Sequence, residues 1–348
     1  MFYLLNKIGS GFLVLFGVII LIFALFILFP SAEEIAAGQR ADEKTKAAMR
    51  IEMGLDLSKS QQFIIYLKDL SPIVLSKTIN PDYSGVQLHL PADYQLMLKA
   101  PYLRKSYQSK KFVSDILKEA FVGSFVLSLF AMGIALFLGI STGILSAIRP
   151  GGVLDKVCLA LATLGISLPS FFVAVIIAWL FGFVWSEYTG LSMSGSLYQL
   201  NPETGENFIA LRHIILPAIA LGIRPFSIIM QLTRSNLIDV LQQDYIRTAR
   251  AKGLSRFQVI LRHALRNALN PVITAASGWF ASLLAGAFFI EYVFNWKGLG
   301  KVTIDALQQS DLPVVMGSVL LIAFIFIVMN IVVDLLYAVL DPRVKLGS

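Results

Sequence analysis

Charge is scarce in this 348-residue sequence: Asp, Glu, Lys and Arg together make up 15%, against 56% hydrophobic residues. With a mean hydropathy of +0.73, that balance excludes an ordinary soluble domain and describes an integral membrane protein. Cysteine occurs once, at Cys158, which excludes an internal disulfide. Histidine occurs only at His89, His213 and His263, and no spacing among these residues and Cys158 suits a metal ion. Cys158 reads as a small core residue. Acidic residues are outnumbered 22 to 29, and in a membrane chain the resulting charge of +7 records topology before it suggests nucleic acid.

Long apolar runs are plentiful. A bilayer core needs about 20 such residues per helix, and runs lie near 8–29, 120–147, 157–185, 214–237, 271–290 and 314–340. The first follows Lys7 and is too long for the apolar region of a usual signal peptide, so it reads as a true span. Six spans place both termini on one side. One set of short loops holds Arg149, Lys156, Arg247, Arg250, Lys252, Arg256, Arg262 and Arg266, with Lys7, Arg343 and Lys345 at the chain ends. The opposite short loops, 186–213 and 291–313, hold only Arg212, Lys297 and Lys301. Basic loops stay inside, so the first set and both termini are expected in the cytoplasm.

The stretch 31–115 also carries lysines, but a segment of that size crosses regardless of charge and is expected to form an extracytoplasmic subdomain between spans one and two. Within it MRIEMGLDLSKSQQFIIYLKDL has helix-like spacing. Pro72, Pro81, Pro91 and Pro101 then predict small helices and loops. The expected organisation is an N-terminal helix over 1–30, the subdomain over 31–115, a helical core over 116–341 and a tail over 342–348.

Between Arg234 and Asn270 the chain is too polar for lipid, yet Leu237, Leu241, Tyr245 and Ala249 recur every four positions. Gly253 interrupts this stripe, Ser255 and Gln258 have capping-box spacing, and a second stripe runs through Leu254, Phe257, Leu261, Ala264, Leu265 and Ala268. Gln258, Arg262 and Arg266 share the other face. The pattern predicts helix, glycine turn, helix over 239–270. From helicity and charge alone, docking to a partner protein and resting on anionic lipid account for it equally. The glycine favours docking, because a surface anchor needs no sharp turn.

The segment DYIRTARAKGLSRFQVILRHALRNALNPVI resembles the EAA loop of binding-protein-dependent ABC importer permeases, in the dipeptide and oligopeptide branch. So do MGLDLSKSQQFIIYL, LGISLPSFFVA, LTRSNLIDVLQQDY, YVFNWKGLGKV and NIVVDLLYAVLDPRVK. The family's loop pattern falls on Arg247, Thr248, Ala249 and Gly253, with arginine in place of the pattern's glutamate, and Arg266 stands at its later proline position. FPSAEE after the first span, and residues near 78–107, depart from the family.

The resemblance implies an all-α integral membrane protein of about six helices, in the type I ABC importer permease fold, in a bacterial inner membrane. It implies a coupling helix inserted into a cleft of a separate ATPase. The implied partners are a second, similar permease, two ATPase subunits, an extracytoplasmic substrate-binding protein and membrane lipid. ATP and Mg would sit on the ATPase chains. Peptides are the implied substrate, although related permeases carry nickel, sugars and other solutes. Asp244, Tyr245, Arg247, Thr248, Ala249, Arg250, Lys252, Gly253, Leu254 and Phe257 form the expected loop. Its binding face would be Tyr245, Ala249, Gly253, Leu254 and Phe257, with Arg247, Arg250 and Lys252 answering acidic groups on the ATPase.

Ionisable residues within spans are functional candidates, because a charge in hydrocarbon costs at least about 2.5 kcal/mol. Arg224, beside Pro225 in IALGIRPFSIIM, reads either as a pathway cation that meets a peptide carboxylate or as a buried structural arginine. Asp334 reads as a solvated group or as a partner of Arg234, and Glu291 as a cap or a gate. Pro169 and Pro217 are expected at kinks. GLGK at 298–301 lacks both the glycine and the Ser or Thr of a phosphate-binding loop, so ATP hydrolysis is expected on another chain. An ion-coupled secondary transporter would need acids at midspan, of which the spans offer almost none, and a membrane enzyme a catalytic set, which they lack.

Overall fold

A computed structural model describes residues 2–28, 44, 56–91, 94–200 and 205–340. FPSAEE, the first part of MRIEMGLDLSKSQQ and the tail with Arg343 and Lys345 fall largely or wholly outside these residues. The apolar runs are helices: α1 Phe2–Leu28, α3 Val113–Ile148, α6 Ile215–Leu241 and α12 Leu312–Leu340 are each one unbroken rod. Between the first two lies α2, Lys59–Leu70.

Two of the expected spans are broken. The third is a pair of helices, α4 Val153–Ser167 and α5 Ser170–Trp179, the latter extended by a π segment to Val184. The two halves meet at 110°. Pro169 has no N–H and forces Leu168 into extended backbone, which makes the junction a sharp corner where a kink was expected. The fifth, α9 Asn270–Gly286, meets the preceding helical segment at 52°. Among the described residues four helices are long and apolar enough to cross a membrane, or up to six if each bent pair is one span. Pro217 produces no kink: it lies in the first turn of α6, where the backbone N–H has no helical acceptor to lose.

Two compact units emerge. The first comprises residues 1–11, 121–301 and 322–348. Its core gathers around α6, with Leu216, Ala218, Leu221 and Ile229 buried among Leu127, Ala131, Ala174 and Val272. Small residues let the helices touch: Gly139 and Gly143 of α3 lie against Ile229 and Thr233 of α6, where a Cβ would have no room.

The second unit comprises residues 12–120 and 302–321. Helix α2 opens with a capping box between Ser58 and Gln61. The region that follows is a three-stranded antiparallel sheet, β1 Ile73–Ser76, β2 Gly85–His89 and β3 Gln95–Lys99, in the order β1-β3-β2. This replaces the small helices and loops expected there. β1 and β3 alternate, with Val74 and Met97 buried and Ile73, Leu75 and Leu98 exposed, whereas β2 is exposed throughout. At the unit's centre Asp69 is buried and accepts from Tyr83 Oη at 2.7 Å and Arg104 Nε at 2.9 Å. Nearby, Asp82 accepts from Lys105 Nζ at 2.8 Å, and this hydrogen bond holds its carboxyl below the usual carboxylate value.

Candidate functional site

The loop expected between spans four and five is two helices joined at a glycine. Helix α6 ends at Leu241, and α7, Asp244–Ala251, begins after two glutamines. Asp244 lies in the first turn of α7 and Arg250 in the last, each at the end of the helix dipole that favours its charge. At Gly253 the backbone turns left-handed, φ +80°, and its N–H donates to the Arg250 carbonyl at 3.0 Å. Ser255 then caps the next helix. Its side chain accepts from Gln258 N at 3.3 Å, and Gln258 Oε1 accepts from Ser255 N at 3.2 Å, the expected capping box.

The second helical segment, α8 Arg256–Ala268, contains a π stretch at Val259–Ala264. A π turn holds more residues than an α turn, so the inward face is displaced from the four-residue stripe read from the sequence. Val259, Ile260, Ala264 and Ala268 are buried with Ile246, Ala249, Leu237 of α6 and Ala147 of α3. Leu254 packs at the edge of this cluster. Ala249 therefore faces the protein's own core and not a partner. Ile246, Val259 and Ile260 are core residues that the four-residue spacing missed. Phe257 is 72% exposed, Leu261 44% and Tyr245 42%.

The outer surface is basic. Arg247, Arg250, Lys252, Arg262 and Arg266 are all exposed. Arg247 reaches Asp244 at 3.3 Å, but both groups are open to water, so the pair contributes little. Thr248 Oγ1 donates back to the Asp244 carbonyl at 3.1 Å. Asn267 Nδ2 donates to Tyr245 Oη at 2.8 Å and ties the two helices together across the turn.

The loop has footings in the membrane body. Arg256 donates to the Ile148 carbonyl at the end of α3, 2.6 Å away. Arg234 does not pair with Asp334; it makes a two-pronged bond to Asp155, at 2.6 and 2.7 Å. Asp334 is instead bonded to Lys7.

Arg224 is exposed on α6, while Pro225 is buried. It makes no ion pair among the described residues. Ser235 and Asp239 are also exposed and Gln231 half-buried. Together with Arg224 they stand at helical spacing on one side of α6. That helix is otherwise the most buried of the four unbroken spans.

Glu291 lies beyond the apolar part of α9, in α10, Phe288–Val293, and is fully buried. Oε1 accepts from Ser124 Oγ at 2.6 Å, and Oε2 accepts from Gly300 N at 2.7 Å and Lys301 N at 3.2 Å. The carboxylate thus caps the N-terminus of α11, Leu299–Gln308. Burial pushes the carboxyl's pKa up, while the Ser124, Lys301 and Gly300 donors pull the other way. Gly298 and Gly300 leave the room the carboxylate occupies. The YVFNWKGLGKV stretch is accordingly built around a cap.

Residues 139–346 match the family model described as binding-protein-dependent transport system inner membrane component. The dipeptide transport system permease protein of Escherichia coli strain K12 is 36% identical, over 99% of this chain and 98% of its own. Its counterpart in Bacillus subtilis strain 168 is 40% identical over 71% and 74%. The di/tripeptide permease protein of Pseudomonas aeruginosa strain UCBPP-PA14 is 34% identical over 95% and 94%. Among solved structures, the inward-facing methionine ABC transporter MetNI matches with a TM-score of 0.50 at 17% identity, over 66% of this chain and 97% of that one, a likeness of fold. Family, spans and fold agree that the chain belongs to the binding-protein-dependent inner membrane components, as the multi-pass permease subunit of an ABC importer, a transport subunit rather than an enzyme.

Proposed function

We propose that this permease imports di- and oligopeptides, and that its α7–α8 loop is the part that engages an ATPase subunit. The peptide substrate is supported by relatives whose names specify dipeptides or di/tripeptides and whose likeness extends over nearly the whole chain. The observation that carries the docking role is the form of the loop. A left-handed glycine and an exposed Phe257 project from two helices whose other sides are fixed to the chain's own core. A lipid anchor would lay its apolar side chains along one surface, and here most of them, Ile246, Ala249, Val259, Ile260 and Ala264 among them, are packed on Leu237 and Ala147. Arg262 and Arg266 remain free to meet lipid headgroups.

One such chain forms half of a path. It pairs with a second, similar permease, two ATPase subunits and a substrate-binding protein. ATP and Mg reside on the ATPases, whose closure shifts the permeases between inward-open and outward-open states. The termini and the α7–α8 loop lie in the cytoplasm. The exposed side of α6 lines the path, because an arginine facing lipid would cost at least about 2.5 kcal/mol; Arg224 there meets the peptide carboxylate. Vesicles reconstituted with the whole importer should take up labelled dipeptide when ATP is supplied to the ATPase side, and omission of the ATPase subunits should abolish uptake. Uptake that persists without them contradicts the proposal.

A further inference from the structure

At the base of the loop Asp155, on the first turn of α4, is 2% exposed and bonded from three directions. Arg234 of α6 donates through Nε and a terminal nitrogen, Gly151 N in the α3–α4 turn donates at 2.7 Å, and Ser146 of α3 donates its hydroxyl. One carboxylate thereby joins α3, α4 and α6. From the other side Arg256, the first residue of α8, holds the last carbonyl of α3 at Ile148. The α3–α4 turn is gripped by the helix that enters the loop and by the helix that leaves the turn at Gly253.

For stability alone this is a poor choice. A buried ion pair must be desolvated, and well-packed apolar residues of similar volume usually hold helices at least as firmly. What a bidentate guanidinium–carboxylate pair adds is direction: it fixes height and rotation together and yields little before it breaks. The apolar cluster under the loop slides more easily, since its contacts are non-directional. Sliding is what a lever must avoid.

We infer that the Asp155–Arg234 pair, with the Arg256–Ile148 contact, transmits displacement of the α7–α8 loop to α3 and α4. These are positioning residues for transport. The inference rests on the docking role proposed for the loop, so its test must be able to fail separately from that role. In the complete importer, reconstituted in vesicles, the ratio of labelled dipeptide imported to ATP hydrolysed would be measured for Asp155→Asn, Arg234→Lys, Arg256→Ala and Gly253→Val. At normal assembly, the first three should each lower the ratio by about tenfold, the scale of a coupling mutation. Arg234→Lys keeps the charge and loses the fork, and a merely structural role would leave its ratio unmoved. If Asp155→Asn fails to assemble, Arg256→Ala decides, because its exposed side chain can be removed without emptying a core. Ratios within about twofold of wild type in Arg234→Lys and Arg256→Ala, with Gly253→Val reduced, would overturn the relay and leave the docking role standing. A normal ratio in Gly253→Val would overturn the docking role itself.

Discussion

Ser124 and Glu291 are separated by 167 residues in the chain and meet in a 2.6 Å hydrogen bond closed off from solvent. The same serine accepts from Leu299 N at 2.8 Å, and Trp296 Nε1 donates to the Gly123 carbonyl at 3.0 Å. The carboxylate and the serine together satisfy the first N–H groups of α11, which burial would otherwise leave without acceptors.

Replacing Glu291 with alanine strands two buried donors, the Ser124 hydroxyl and Gly300 N, each costing about 1–3 kcal/mol, while the bond from Lys301 N is only part-buried. Glu291→Ala should therefore lower stability by about 2 kcal/mol or more, seen as earlier thermal unfolding of the purified protein. Glu291→Gln keeps an accepting oxygen and should lose less than half as much. Equal losses in the two variants would show that the charge and second oxygen, absent from both, carry the effect and that a retained amide oxygen does not.

Gly253 is open around its missing Cβ, with no atom within 4 Å, so any penalty there comes from the +80° φ alone. A left-handed conformation costs an L residue about 1–2 kcal/mol, least for asparagine and most for β-branched side chains. Coupled transport should fall in the order glycine, asparagine, alanine, valine. A ranking by side-chain size instead would point to steric exclusion from a partner.

Arg224 predicts a substrate preference. If it meets a peptide carboxylate, Arg224→Gln should reduce uptake of free dipeptides and leave C-terminally amidated ones much less affected. Competition between the two in transport assays measures this, and equal loss for both sets the carboxylate role aside.

Asp311 is buried and accepts from the Ser106 hydroxyl, Tyr107 N at 3.0 Å and Gln108 N at 3.5 Å. Asp311→Ala should free the 106–111 turn at a cost of about 1–3 kcal/mol. Limited proteolysis there should become faster, while membrane insertion is unchanged.

How much was legible follows from range. The apolar runs are local and long, so the helices were readable from composition. The caps of α2 and α8 and the Gly253 turn are set by residues within a few positions of one another, and the loop's helix–turn–helix form followed. Asp155 and Arg234 lie 79 residues apart, and charge alone offered Arg234 the wrong acid. The π stretch at Val259–Ala264 leaves no mark in a four-residue period, so Val259 and Ile260, which are buried there, lie off the stripe that runs through Phe257 and Leu261. Between α2 and α3 the short segments VQLHL and QLMLK become strands only through pairing that no single segment displays.

The loop's docking role is tested most directly from Phe257. In the assembled importer, with Cys158 replaced by serine, a Phe257→Cys thiol would be treated with a short bifunctional cross-linker and the product identified by mass spectrometry. The account predicts a link to an ATPase subunit whose yield changes when ATP is bound. Reaction only with lipid-borne reagent, and none with the ATPase in any nucleotide state, would contradict it.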